Sequence, residues 1–223
     1  MGFNVTFAIT ICAHVLGFEL HKRIKMLFNT PIIFDLPDAD ITYIPGFFNT
    51  VLANHYFQSL LKTTPWQQDD ITIFGKTYAQ PRLTALFANN TKPYSYSNIL
   101  MKPHAFNETL LEIKKEVDSL IKPQAFTTCL ANLYRDGSDS NGWHADNEKE
   151  LGTNPIIASV TLGAERVFHL KHRTKKEAKQ KITLQHGSVL LMKGTTQTHW
   201  LHKIPKTKKY IDQRINLTFR IIT

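Results

Sequence analysis

RINLTFRII, residues 214–222, alternates between two kinds of side chain from Arg214 to Ile221. Along a β-strand successive side chains point to opposite faces. Ile215, Leu217, Phe219 and Ile221 therefore share one face, and Arg214, Asn216, Thr218 and Arg220 share the other. Two readings are open for the polar face. It is solvated surface, or it lines the interior of a barrel or sandwich. In the interior the arginines would need an acidic ligand, because a buried charge has to be paired. A dicarboxylate suits them, since the guanidinium fork binds carboxylates bidentately.

Working outward from this strand, the chain after Pro123 is a series of short β-type runs: Phe126–Tyr134, Ile156–Leu162, Arg166–His172, Ile182–Leu184, Ser188–Met192 and Ile215–Ile222. The polar run from Arg173 to Lys181 is expected to be a loop. Upstream, ITYIPGFFNTVLANHYFQSLLKTTPW reads as a strand, a Pro-Gly turn and a helix capped by Asn49 or Thr50, with Val51, Leu52, Tyr56, Leu60 and Leu61 toward a core and Pro65 closing it. DDITIFGKTYAQPR reads as a hairpin with Phe74-Gly75-Lys76 at or near its tip. A second amphipathic helix spans about Glu108 to Ile121, with Leu110, Leu111, Val117, Leu120 and Ile121 as its apolar set. Helices followed by many short strands predict an α+β fold with a sandwich or barrel core.

The 223 residues suffice for one core. A formal net charge of +9 favours a polyanionic partner, either nucleic acid or an anionic membrane. The only cysteines, Cys12 and Cys129, exclude a thiolate zinc site and a disulfide framework, and fit a reducing compartment. The apolar run from Phe3 to Leu20 is interrupted by Asn4, Thr6, Thr10 and His14, and lacks the basic start and small-residue cleavage site of a secretory signal. Residues 1–25 are expected to be a peripheral extension or an over-called start, with a membrane anchor as the lesser alternative. Residues 26–125 would form the helices and hairpin, and residues 126–223 the core, in a single structural unit.

The chemistry concentrates in GWHADNE and THWLHKIP. His144 and Asp146 flank one residue, so on an extended edge they point the same way. His199 and His202 follow a later strand. Two histidines and a carboxylate make the facial triad of non-haem Fe(II) oxygenases, which leaves coordination positions open. Zinc competes for the same donors.

The ordered pieces NLYRDG, WHADNE, IASVTLGAER, HGSVLLM, THWLHKIP and RINLTFR, with IFGKTYAQPR upstream, resemble the AlkB-like oxygenases, a family of nucleic-acid N-alkyl demethylases. The likeness is closest to its duplex-DNA-repair branch and covers most of the chain after about residue 34. It implies a double-stranded β-helix, or jelly roll, with helices on one outer face and a nucleotide-recognition hairpin region before it. It implies Fe(II) held by His144, Asp146 and His202, with His199 a neighbour. It implies 2-oxoglutarate held by Asn132, Tyr134, Arg214, Thr218 and Arg220, with Asn216 in support, and O2 as oxidant.

On the substrate side the resemblance implies contacts from Phe74, Gly75 and Lys76, from Tyr94 and Tyr96, and from Asn147 and Glu148. Phe74 would be a wedge that enters the base stack, because a base must leave the duplex to be reached. Asn147 departs from the pattern, where an acid is more usual. The implied partner is nucleic acid, DNA in preference to RNA, bound by a monomer without stable membrane association. The implied location is the cytoplasm of a bacterium or the nucleus of a eukaryote, not the exterior. Two other functions are consistent with the residues: a 2-oxoglutarate hydroxylase of protein, and a non-catalytic nucleic-acid-binding relative.

Overall fold

The computed structural model describes residues 30–73, 75–90, 94–96 and 99–222. The expectations for residues 1–25 and for Phe74 lie outside them. Among the described residues no helix is long and apolar enough to cross a membrane.

The strands are β1 (Ile32–Ile33), β2 (Asp40–Ile44), β3 (Asp70–Ile73), β4 (Lys76–Ala79), β5 (Leu83–Ala88), β6 (Tyr94–Tyr96), β7 (Ile99–Met101) and β8 (Thr128–Tyr134). They continue with β9 (Asn141–His144), β10 (Ile157–Gly163), β11 (Arg166–His172), β12 (Lys179–Leu184), β13 (Ser188–Lys193), β14 (Trp200–Ile204) and β15 (Arg214–Arg220). The helices are α1 (Thr50–Thr63), α2 (Glu108–Asp118) and the short α3 (Thr196–His199).

A seven-stranded sheet runs β1-β2-β13-β10-β15-β8-β5, and a four-stranded sheet runs β12-β11-β14-β9. Every pairing in the two sheets is antiparallel. They pack face to face around Ile157, Leu190 and Met192 of the large sheet and Phe168, Leu170 and Ile204 of the small one. This is the jelly roll of a double-stranded β-helix.

A second core lies on the outer side of the large sheet. Tyr56 and Leu60 of α1 and Leu110, Ile113 and Val117 of α2 meet Ile215, Leu217 and Phe219 there. Burying side chains of this size is worth about 1.5–3 kcal/mol each. The apolar face of β15 thus belongs to the helix layer, and its polar face looks into the jelly roll. All seven residues of the strand are buried. Solvated surface is the wrong reading of Arg214, Asn216, Thr218 and Arg220.

Asn49 caps α1 by accepting from the Leu52 amide, and Asn107 caps α2 by accepting from the Leu110 amide. Two helix-face expectations need correction. Val51 is 81% exposed, because the buried stripe runs through Ala53, Tyr56 and Leu60 and position 51 falls on the opposite side of a 3.6-residue turn. Leu111 is 50% exposed, and Ile113 takes its place in the stripe Leu110, Ile113, Val117. The expected loop through Lys181 is also shorter: β12 begins at Lys179, where pairing with Lys171 outweighs the polarity of the side chains.

Candidate metal and cosubstrate site

His144 ends β9 and His202 lies in β14, directly opposite in the register. Their Nε2 atoms are 3.1 Å apart. The His144 Nδ1 lies 2.8 Å from the Gly142 carbonyl, a partner that only an N–H can serve. That tautomer leaves Nε2 as a bare lone pair facing His202. Asp146 follows β9 with its backbone N–H donating to Gln197 Oε1. Its Oδ2 lies 3.8 Å from His202 Nε2, and its Oδ1 accepts from Arg220 Nη2 at 2.6 Å. Phe168 stacks on the His202 ring at 5.1 Å and fixes its plane.

The charge states suit a cation. Burial alone would raise the Asp146 carboxyl, but Arg220, His202 and His144 outweigh it and hold the group at about 2. Burial, reinforced by His144, pushes His202 down to about 3. Loss of solvent also lowers His144. At neutral pH the site therefore presents two neutral imidazoles and a carboxylate. The two imidazole Nε2 atoms, 3.1 Å apart, and the Asp146 carboxylate converge closely enough to share one cation.

A second group of donors, Asp38, His172 and His199, also converges. It suits a proton better than a metal. The His172 Nδ1 accepts from the backbone amides of Thr174 and Lys175, so Nε2 carries the proton and donates to Asp38. Lys175 Nζ already sits 2.6 Å from that carboxylate.

The cavity beside His144, Asp146 and His202 is lined by Asn132 and Tyr134 from β8 and by Asn216, Thr218 and Arg220 from β15. Asn132 Oδ1 accepts from the buried Arg82 Nε at 2.7 Å, and Asn216 Nδ2 donates to Ser159 Oγ. Arg214 lies behind Tyr134, with its guanidinium 5.2 Å from the ring centroid. It is fully buried. Its Nη2 donates to Thr161, while Nε and Nη1 have no hydrogen-bond acceptor. Burial presses it down to about 10, against the opposing effect of Tyr134. Arg166, on the same tyrosine, contrasts with it: its Nη atoms donate to the carbonyls of Asp136, Asp139 and Pro205. One arginine is satisfied by the fold, and the other has donors to spare for a ligand carboxylate.

Arg220, expected among the cosubstrate contacts, lines the cavity and also braces Asp146. Glu148 turns inward, and burial raises its carboxyl against the pull of Arg220. Asn147 is exposed. Gly75 sits at φ 76° in the turn between Ile73 and Lys76, which pair as the last rungs of the β3–β4 hairpin, and Lys76 is exposed. Tyr94 and Tyr96 lie on β6, paired with Met101 and Ile99 of β7. The sequence reading missed Arg82, Asn141, Ser159, Thr161, Phe168 and Gln197. Asn141 carried a local signal, lying immediately before the GWHADNE motif. The others meet the site only through strand pairing or a turn.

Residues 40–220 match the family described as the 2OG-Fe(II) oxygenase superfamily. The chain belongs to that superfamily, in its AlkB-like branch. It is 38% identical over 187 residues to "Alpha-ketoglutarate-dependent dioxygenase alkB homolog 3" of Bos taurus, covering 80% of this chain and 64% of the relative. It is 35% identical over 215 residues to "DNA oxidative demethylase ALKBH2" of Arabidopsis thaliana, covering 82% and 67%. The chain thus spans just under two thirds of the alkB homolog 3 length, and the two kinds of relative match at similar identity. The fold also resembles OsALKBH1, with a TM-score of 0.59 at 16% identity over 86% of this chain and 99% of that one. Fe(II), 2-oxoglutarate and O2 are the groups that an oxygenase of this superfamily uses. The residues fit them: three Lewis bases at one point and, behind the Tyr134 that lines their cavity, a buried guanidinium with two unpartnered nitrogens.

Proposed function

We propose that the chain is an oxidative demethylase of N-alkylated bases in nucleic acid, DNA in preference to RNA. Each turnover would consume 2-oxoglutarate and O2 and release succinate, CO2, formaldehyde and the unmodified base. The observation that carries this reading is the convergence of His144, Asp146 and His202 on a cavity lined by Tyr134, behind which Arg214 keeps two donors open. The names of the alkB homolog 3 and ALKBH2 relatives support the dioxygenase class, and that of ALKBH2 the DNA substrate.

His144, Asp146 and His202 would hold the iron, which when bound supplies activation of O2 and oxidation of a C–H bond. Arg214 would take the distal carboxylate of 2-oxoglutarate through Nε and Nη1, a charge-assisted contact in a water-poor setting. Asn132, Tyr134 and Thr218 offer polar atoms along the path between the two. Arg82 holds the Asn132 amide in one orientation, and Ser159 does the same for Asn216. Phe168, Met192 and Ile204 wall the cavity and limit water. Asn147 and Glu148 adjoin the metal cluster in sequence and are assigned to base contact, together with Lys76, Tyr94 and Tyr96.

The test is purified protein with iron, 2-oxoglutarate and methylated single- and double-stranded oligonucleotides. Formaldehyde release and loss of the methyl mass are expected together. Succinate without formaldehyde would point to another hydroxylation substrate.

A further inference from the structure

Each strand of the small sheet has two faces, and only the inner one belongs to the site. Trp143 and Lys203 are the chain neighbours of His144 and His202, so they point away from the metal cluster. On that outer face Trp143 is 38% exposed, and the Lys171 and Lys203 ammonium groups lie 4.5 and 4.7 Å from its ring centroid. The register sets Lys181, His169 and Lys203 side by side across β12, β11 and β14. In the next row of the same face Lys179 sits opposite Lys171.

Like charges placed directly across a strand pair destabilise a sheet. The usual remedy is an interleaved carboxylate, yet β9, β11, β12 and β14 contain no Asp or Glu. Among the described residues none of Lys171, Lys179, Lys181 and Lys203 forms an ion pair. The crowding is felt by His169, held below its ordinary value by partial burial and by Lys181 and Lys203. A strand-borne grid of cations around one aromatic ring is matched to a chain that alternates phosphates with stackable planes. An unpaired strand fits better than a duplex, because only an unstacked base can lie on an aromatic face.

Building on the nucleic-acid reading above, we infer that this outer face is a second contact surface for single-stranded nucleic acid. β9 is the terminal strand of the small sheet, with the metal cluster on one side and Trp143 on the other. A strand whose target base lies at the cluster can continue around this edge. Its phosphates meet Lys171, Lys203 and Lys181, and one base stacks on Trp143.

The full-length protein is tested by fluorescence anisotropy with unmethylated single strands of about 20 and about 5 nucleotides. Wild type is expected to bind the longer strand at least about tenfold more tightly, with the tryptophan emission quenched. Lys171→Gln/Lys203→Gln should lose most of that length advantage. Its plot of log Kd against log salt should flatten by about 1.4, at about 0.7 per phosphate contact removed. Trp143→Leu should lose the quenching and part of the affinity with little change in salt slope. Melting temperatures of the lysine variant should equal or exceed wild type, since like charges are removed. Length-dependent binding that persists in both variants with an unchanged slope overturns the outer-face inference alone. Wild type that binds neither strand at low salt overturns the nucleic-acid reading itself. Equal affinity for polyglutamate of matched charge would reduce the face to a general polyanion surface and overturn the role of Trp143.

Discussion

Arg220 and Asp146 are 74 residues apart in the chain, yet Arg220 Nη2 meets Asp146 Oδ1 at 2.6 Å with both side chains 2% exposed. The pair fixes one carboxylate oxygen and leaves the other turned toward His202. It also decides which variants of the metal cluster can be interpreted.

Asp146→Ala would leave the Arg220 charge buried without its carboxylate. A loss of about 3–5 kcal/mol is expected for a broken buried pair, so this variant should melt well below wild type. Asp146→Asn keeps an oxygen for Arg220 and should retain more of the stability while losing most of the metal affinity. Thermal melting and calorimetric metal titration of both variants provide the check. Wild-type metal affinity in Asp146→Asn would sink the ligand assignment.

Arg214→Ala should raise the KM for 2-oxoglutarate with little effect on that for nucleic acid. Losing a hydrogen bond to a charged group costs about 1.5–3 kcal/mol, or roughly tenfold to 150-fold. Arg166→Ala is the contrast, since its donors are taken by backbone carbonyls. It should lower the melting temperature and leave the cosubstrate KM comparatively unmoved. If both variants shift KM alike, the distinction between the two arginines fails.

The metal-free protein should lose stability as pH falls below neutrality. An unfolded His202 takes up a proton near 6.5, whereas the folded residue does so only near about 3. Between those values the unfolded state binds more protons, so stability rises with pH. Acidifying from 6.5 to about 5 removes about 2 kcal/mol, at about 1.4 kcal/mol per unit. Asp146 is silent in this window, because its contribution is lost only as pH falls from 3.8 toward about 2. Melting of chelator-treated protein should show the slope, and His202→Gln should flatten it. A flat wild-type profile over this range would contradict the buried neutral imidazole.

Phe74→Ala should reduce turnover on methylated duplex far more than on a methylated single strand. A wedge matters only where a stack has to be opened, at a cost of a few kcal/mol. Ile73 and Lys76 pair across the hairpin and Gly75 takes the left-handed turn conformation. Melting should change little. An equal loss on both substrates would make Phe74 a packing residue.

The sequence by itself determined six of the strands after Pro123 and the existence of both helices, but it read no strand at β9 or β14 and placed His202 after a strand where it lies within one. The strands and helices follow from short-range rules: strand alternation, helical periodicity and the cap at Asn49, whereas His202, 58 residues from His144, joined His144 and Asp146 only through the family resemblance. It could not say which way β15 faces. Its two faces are both buried, one under the helices and one inside the jelly roll, and alternation reads the same in either direction. It likewise could not assign Arg220 to Asp146 or distinguish Arg214 from Arg166. Those choices depend on which backbone carbonyls and carboxylates each guanidinium meets, and partners from β9, β10 and the loop at Pro205 arrive only when the two sheets close. The outer face of the small sheet is the same kind of fact. Lys171, Lys181, Lys203 and Trp143 are scattered through the chain, and only strand register gathers them around one ring.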